Sequence, residues 1–213
     1  MHAYKYDFLR FALQRNVLRF GSFTLKSGRA SPYFFNAGLF NTGSSVAALG
    51  RYYAQAVIAS GLEFDMLFGP AYKGIPLATA TAIALADEHL REVPFAFNRK
   101  EPKDHGEGGI VVGAPLRGRI LIVDDVISAG TSVRESVRLI ESAGASLAGV
   151  AIALDRKERG SGNISAVQQV QQELGVPVIP IADLDDLVSW LEQSGEHHEE
   201  LAAIQIYRSQ YGA

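Results

Sequence analysis

Apolar residues recur at helical spacing early in the chain, where Phe8, Phe11, Ala12 and Leu18 stand among Lys5, Asp7, Arg10 and Arg15. This predicts one opening helix over Tyr4 to Leu18, leading into Gly21. Two short strands are expected next, Phe23 to Leu25 and Tyr33 to Phe35, separated by the turn-prone run from Lys26 to Pro32. A cap at Thr42 or Ser44, then Val46, Leu49, Tyr53, Val57 and Ile58 on one face, then Gly61, predict a second helix. Strand and helix alternate from there. The pattern gives strand Asp65 to Phe68, a helix from about Ile75 to Leu90, strand Phe95 to Phe97, a polar glycine-rich loop and strand Ile120 to Val123. Val133, Val137 and Ile140 mark a further helix face, Leu147 to Leu154 is a nearly continuous apolar strand, and Ser165 to Leu174 with Val178 to Ile181 form the next pair. Such alternation implies an α/β fold whose central, mainly parallel sheet carries helices on both faces. The tail from Asp183 to Ala213 reads as one or two helices, with the acidic run Glu196 to Glu200 as a solvated helix start.

The chain has 213 residues, enough for one compact core, and neither an internal repeat nor a low-complexity linker divides it. A single domain over 1–213 is expected, with an α/β core at about 42–175 between flanking segments 1–41 and 176–213. A hydrophobic share of 47% against 20% charged residues fits a globular protein. Cysteine is absent, which excludes disulfides, thiolate metal sites and a cysteine nucleophile and makes the cytoplasm the default compartment. No stretch approaches the ~18 apolar residues of a membrane span, and the first residues lack the apolar run of a signal peptide. A net charge of -3 gives no global field for nucleic acid, so any polyanion must be met by a local site.

The most informative stretch runs from Ile120 to Ser132: a buried strand stops at Asp124 and Asp125, then passes through Val126, Ile127, Ser128, Ala129 and Gly130 into a helix at Thr131 and Ser132. In an open α/β sheet, ligands bind beyond the carboxyl ends of strands, and a loop entering a helix offers unpaired N–H groups to a phosphate. Gly130 lets the backbone approach, while Ser128, Thr131 and Ser132 bring hydroxyl donors. The paired carboxylates suit either vicinal sugar hydroxyls or a hydrated metal. The string lacks the lysine of a Walker loop and the spacing of a dinucleotide fingerprint. His2, His89, His197 and His198 have no such context and read as surface or packing residues.

This string resembles the phosphoribosyl diphosphate (PRPP) signature of type I phosphoribosyltransferases. Three further motifs, in order, narrow the resemblance to the bacterial orotate phosphoribosyltransferase family: Phe23 to Asn36, Phe68 to Pro76, and Asn98 to Gly109. The resemblance implies a type I phosphoribosyltransferase fold with a small hood built from the N- and C-terminal segments. It implies transfer of ribose 5-phosphate from PRPP to orotate, releasing diphosphate, with Mg2+ held mainly by PRPP and water and no direct protein ligand assigned. PRPP is expected to meet Lys26, Tyr72, Lys73, Arg99, Lys100, Lys103, His105 and the loop from Asp124 to Ser132. Lys103, His105, Asp124 and Asp125 are the expected catalytic groups. Orotate is expected at Lys26, Phe34, Phe35, Ser128 and Arg156, with Arg156 meeting its carboxylate. The segment from Arg99 to Gly109 is expected to act as a lid that closes over the neighbouring subunit's site in a homodimer. Bacterial relatives commonly have threonine at Ser128, and Pro102 stiffens the lid.

Two other readings share the PRPP loop. The 120–132 signature does not identify the acceptor, so a purine base is one alternative, against which Lys26, Phe34, Phe35 and Arg156 argue. A non-catalytic PRPP-sensing regulator is the other; it needs an effector module, and no basic helix-turn-helix region is visible.

Overall fold

The computed structural model describes residues 2–25, 27–103, 109–160 and 162–213. A helix α1 (Ala3–Gln14) is followed by strands β1 (Leu18–Thr24) and β2 (Ala30–Phe35), which pair antiparallel in a small sheet of their own. The main sheet then builds from α2 (Gly43–Ser60), β3 (Met66–Gly69), α3 (Gly74–His89), β4 (Phe95–Lys103) and β5 (Gly109–Gly113). It continues with β6 (Arg119–Val123), α4 (Thr131–Ser142), β7 (Ser146–Asp155), α5 (Ala166–Leu174) and β8 (Val178–Asp183). Helices α6 (Leu184–Ser194) and α7 (His198–Tyr211) close the chain.

Six strands lie in the order β5-β4-β3-β6-β7-β8, all parallel except β5, which pairs antiparallel with β4 at one edge. Successive strand residues point to opposite faces, and the core divides accordingly. Met66, Phe68, Ile120, Ile122, Val150 and Ile152 face Val133, Val137 and Ile140 of α4 and Val167 and Val170 of α5. Leu67, Leu121, Val123, Ala151 and Ala153 face the other side, in one cluster with α2, α3, α1, β1, β2, α6 and α7. The small sheet and the last helices are therefore packed into the same core as one face of the large sheet. Capping matches the sequence reading: Thr42 and Ser45 cap α2 reciprocally, and Gly61 ends it in the left-handed conformation.

Four expectations need correction. The opening helix stops at Gln14, because Asn16 takes a positive φ of 55° and turns the chain, so Leu18 opens β1 instead. Ala30, Ser31 and Pro32, read as turn, belong to β2; in a two-stranded sheet a proline's missing N–H can face outward. The glycine-rich loop after Phe97 is largely a hairpin, with β4 running on to Lys103 and β5 returning from Gly109. The parallel sheet also extends past residue 175, since β8 pairs with β7 rather than joining a flanking segment.

Candidate active site

Because β3, β6 and β7 are parallel neighbours, the segments that follow them emerge at one edge of the sheet. These segments are Pro70 to Lys73, Asp124 to Gly130, and Arg156 to Gly160. Beside them, β4 carries Asn98, Arg99 and Lys100. The edge is where an open α/β sheet binds ligands.

Asp124 and Asp125 are both buried. Asp124 Oδ1 accepts the Asp125 N–H at 2.9 Å and its Oδ2 accepts the Ser132 hydroxyl at 2.8 Å. Burial pushes the Asp124 carboxyl up to about 6, against the opposing pull of those two hydrogen bonds. Asp125 Oδ1 accepts the Val126 N–H at 2.9 Å, while Oδ2 meets Lys73 Nζ at 2.6 Å. The first carboxylate thus organises the loop and the second points toward its cationic rim. Ser132, expected to donate to phosphate, spends its proton on Asp124 instead.

From Ile127 to Val133 no backbone N–H finds an acceptor among the described residues, and Ser128, Ala129 and Thr131 are exposed. The first turn of α4 supplies orphan donors and a favourable dipole at the same place. Gly130 sits at φ +71°, and a Cβ there would come within 2.9 Å of Val170 Cγ2, so this position requires glycine. The loop therefore presents unpaired N–H donors and exposed hydroxyls at the N-terminus of α4.

Tyr72 and Lys73 follow a cis peptide bond between Ala71 and Tyr72. The Ala71 N–H donates to Asn98 Oδ1 at 2.9 Å, and Lys100 Nζ lies 5.4 Å from the centre of the exposed Tyr72 ring. Arg99 Nη1 donates to the Gly109 carbonyl across the hairpin at 3.3 Å. At the far side, Arg156 Nε donates to Glu158 Oε1 at 2.7 Å and Nη2 to Ser31 Oγ at 2.9 Å, with the guanidinium 4.0 Å over the Tyr33 ring. The structure thus ties Tyr72 to Lys100, and Lys73 to Asp125, and it places Arg156 in a separate cluster with β2.

Phe34 and Phe35 do not form one aromatic wall. As neighbours on β2 they point to opposite faces: Phe35 packs toward Phe8 in the core, and Phe34 stacks with Phe23, 5.5 Å between centroids, beneath Arg19. Lys26, His105 and the side chains of Pro102 and Lys103 lie outside the described residues. Among the described residues no three His, Asp or Glu side chains form a metal-ligating group.

A phosphoribosyl transferase domain model matches residues 39–175. Orotate phosphoribosyltransferase of Thioalkalivibrio sulfidiphilus is 65% identical over 212 residues, covering 100% of both chains. The chain belongs to the orotate phosphoribosyltransferase family. The Pseudomonas aeruginosa orotate phosphoribosyltransferase is 60% identical with the same full coverage. The crystal structure of Francisella tularensis orotate phosphoribosyltransferase superimposes with a TM-score of 0.89 at 42% identity, over 97% of this chain and 100% of that one. Orotate phosphoribosyltransferases are pentosyltransferases, and the mixed sheet covered on both faces is the type I phosphoribosyltransferase fold. Four residues at this family's sheet edge escaped the sequence reading: Tyr53, whose buried hydroxyl donates to the Asp124 carbonyl at 2.7 Å, then Asn98, Ser31 and Glu158. Each acts on a partner distant in sequence, apart from Glu158, two residues from Arg156. No local spacing marks the distant pairs.

Proposed function

We propose that this chain catalyses magnesium-dependent transfer of ribose 5-phosphate from PRPP to a ring nitrogen of orotate, forming orotidine 5'-monophosphate and diphosphate. The reading includes a role in pyrimidine (UMP) biosynthesis in the cytoplasm and a homodimer whose lid is shared between subunits; dimer and compartment rest on the family resemblance. Among the described residues no helix is long and apolar enough to cross a membrane. One observation supports the chemistry: the turn with unpaired N–H groups, the Lys73–Asp125 pair and the segment that begins at Arg156 all follow neighbouring parallel strands of one sheet.

The division of labour follows from the donors present. Free N–H groups and hydroxyls of the 128–131 turn hold the 5-phosphate. Asp124 and Asp125 accept hydrogen bonds from the ribose hydroxyls. Lys73, Arg99 and Lys100, with Lys103 and His105, take the diphosphate, and Arg156 takes the orotate carboxylate. The paired carboxylates of Asp124 and Asp125 supply oxygen donors, which fit a hard cation that keeps most of its water. Asp124 and Asp125 would therefore hold magnesium through its hydration shell. When bound, magnesium neutralises charge on the diphosphate.

The C–O bond at the anomeric carbon breaks with its electron pair leaving on diphosphate, and the orotate ring nitrogen supplies the pair that forms the new N–C bond on the opposite face, its proton passing to the departing diphosphate. The ribose is oxocarbenium-like in between, so the hairpin over β4 and β5 has to exclude water. Lys103 stabilises the leaving diphosphate, and His105 donates to it. Diphosphate release measured with orotate, adenine and hypoxanthine as acceptors tests the reading. Release with orotate alone supports it; purine-dependent release overturns the acceptor, and PRPP binding without release under any base points to a sensor.

A further inference from the structure

The guanidinium of Arg156 is held from three directions. Glu158 Oε1 takes Nε and lies 2.5 Å from Nη2 as well, Ser31 takes Nη2, and the Tyr33 ring lies beneath the plane. The buried Ser31 hydroxyl has already given its proton to the Tyr33 carbonyl at 2.7 Å, so toward Arg156 it can only accept. These bonds leave Nη1, which finds no acceptor among the described residues.

Glu158 is fixed in turn by main chain. It forms an antiparallel bridge with Gly212, the Arg159 N–H donates to the Tyr211 carbonyl at 2.8 Å, and the Ala213 N–H donates to the Lys157 carbonyl at 2.8 Å. From the other side Arg29, in the turn between β1 and β2, donates to the Arg159 carbonyl at 2.8 Å and lays its guanidinium over the Tyr211 ring. The segment after β7 is thus clamped between the small sheet and the end of α7.

We propose that Ser31 and Glu158 are positioning residues for acceptor selectivity: they fix Arg156 so that only Nη1 is presented to a planar base bearing a ring carboxylate. The inference rests on the reading of Arg156 as the orotate carboxylate's partner. The Arg156–Glu158 pair carries no net charge, so it exerts little long-range pull on anions in general. Selection then comes from the direction of two N–H donors rather than from charge. A carboxylate in the plane of the base meets them, and a base with no carboxylate leaves them unpaired.

Steady-state kinetics with orotate and PRPP varied in turn, and with uracil as the carboxylate-free acceptor, test this on wild type, Glu158→Ala, Glu158→Gln and Ser31→Ala. Glu158→Ala is expected to raise the KM for orotate about tenfold, the size of one hydrogen bond to a charged group. The KM for PRPP stays within about twofold, and the preference for orotate over uracil falls by the same tenfold factor. Glu158→Gln keeps the Oε1 acceptor and recovers most of the loss; Ser31→Ala reproduces it in part and stands in where Glu158→Ala does not fold. Parallel rises in both KM values, or an unchanged preference in the folded variants, overturn the proposal. If the wild type itself shows no preference for orotate, the functional reading falls and the proposal with it; if the wild type discriminates and the variants still do, the proposal alone falls.

Discussion

Lys73 Nζ lies 2.6 Å from Asp125 Oδ2, an ion pair that joins the segment after β3 to the segment after β6. The lysine side chain is 60% exposed and the aspartate side chain 11%, so the pair stands at the rim of the site. Solvent screening at such a position limits its worth to about 0–1 kcal/mol of stability. The pair holds the lysine at the sheet edge, where the proposed reaction needs a cation for the diphosphate.

Removing that lysine should therefore separate binding from folding. Lys73→Ala is expected to raise the KM for PRPP on the order of tenfold or more, consistent with one lost charge-assisted contact, while the thermal midpoint moves by less than about 2 °C. Initial-rate kinetics and a melting curve on the same preparation check both halves.

Asp124 gives the site an acid limit. Its folded value of about 6 stands above the ordinary carboxyl value of 3.8, because burial disfavours the charged form. A raised value means that the folded protein binds the proton more readily than the unfolded chain. The stability contribution is then fully present below about pH 4 and lost as pH rises through about 6. Activity runs the other way, since protonation weakens the acceptor that holds Ser132 and the Asp125 N–H. The kcat/KM for PRPP is expected to fall below about pH 6, and Asp124→Asn should lower the plateau and flatten that limb. A pH profile of both proteins is the check.

Tyr53 reaches the same loop from α2, with its hydroxyl on the Asp124 carbonyl and its ring fully buried. Burial holds the phenol well above its ordinary value, so it remains a neutral donor. Tyr53→Phe keeps the ring and leaves the carbonyl unpaired. The expected cost is about 1–2 kcal/mol in urea unfolding, with a several-fold weaker PRPP affinity.

Gly130→Ala meets two obstacles at once, the positive φ and Val170 Cγ2 at 2.9 Å. A loss of about 1–2 kcal/mol is expected from the backbone alone, together with weaker PRPP binding as the loop shifts. Denaturant unfolding and PRPP titration measure the two effects separately.

The parallel sheet was legible because strands buried on both faces are written as apolar runs, as in Ile120 to Val123 and Leu147 to Leu154. The strand-to-helix loop from Asp124 to Gly130 was legible because its parts are contiguous. β5 was not: Gly109 to Gly113 is a short partly buried edge strand bounded by glycines, and its pairing partner β4 is polar beyond Asn98. The extension of β1 back to Leu18 was hidden because helical spacing continues past Asn16, whose backbone alone ends the helix. Tyr53 and Asn98 were out of reach for a different reason. Their partners, Asp124 and Ala71, come close only after the sheet has formed.

The most direct test of the account is orotate consumption in the presence of PRPP, followed by ultraviolet absorbance, for wild type with and without magnesium and for Asp125→Asn. The account predicts turnover by the wild type, collapse on metal removal, and a loss of at least about tenfold in the variant while it stays folded. Orotate left unconsumed by folded wild-type protein with PRPP and magnesium would contradict it.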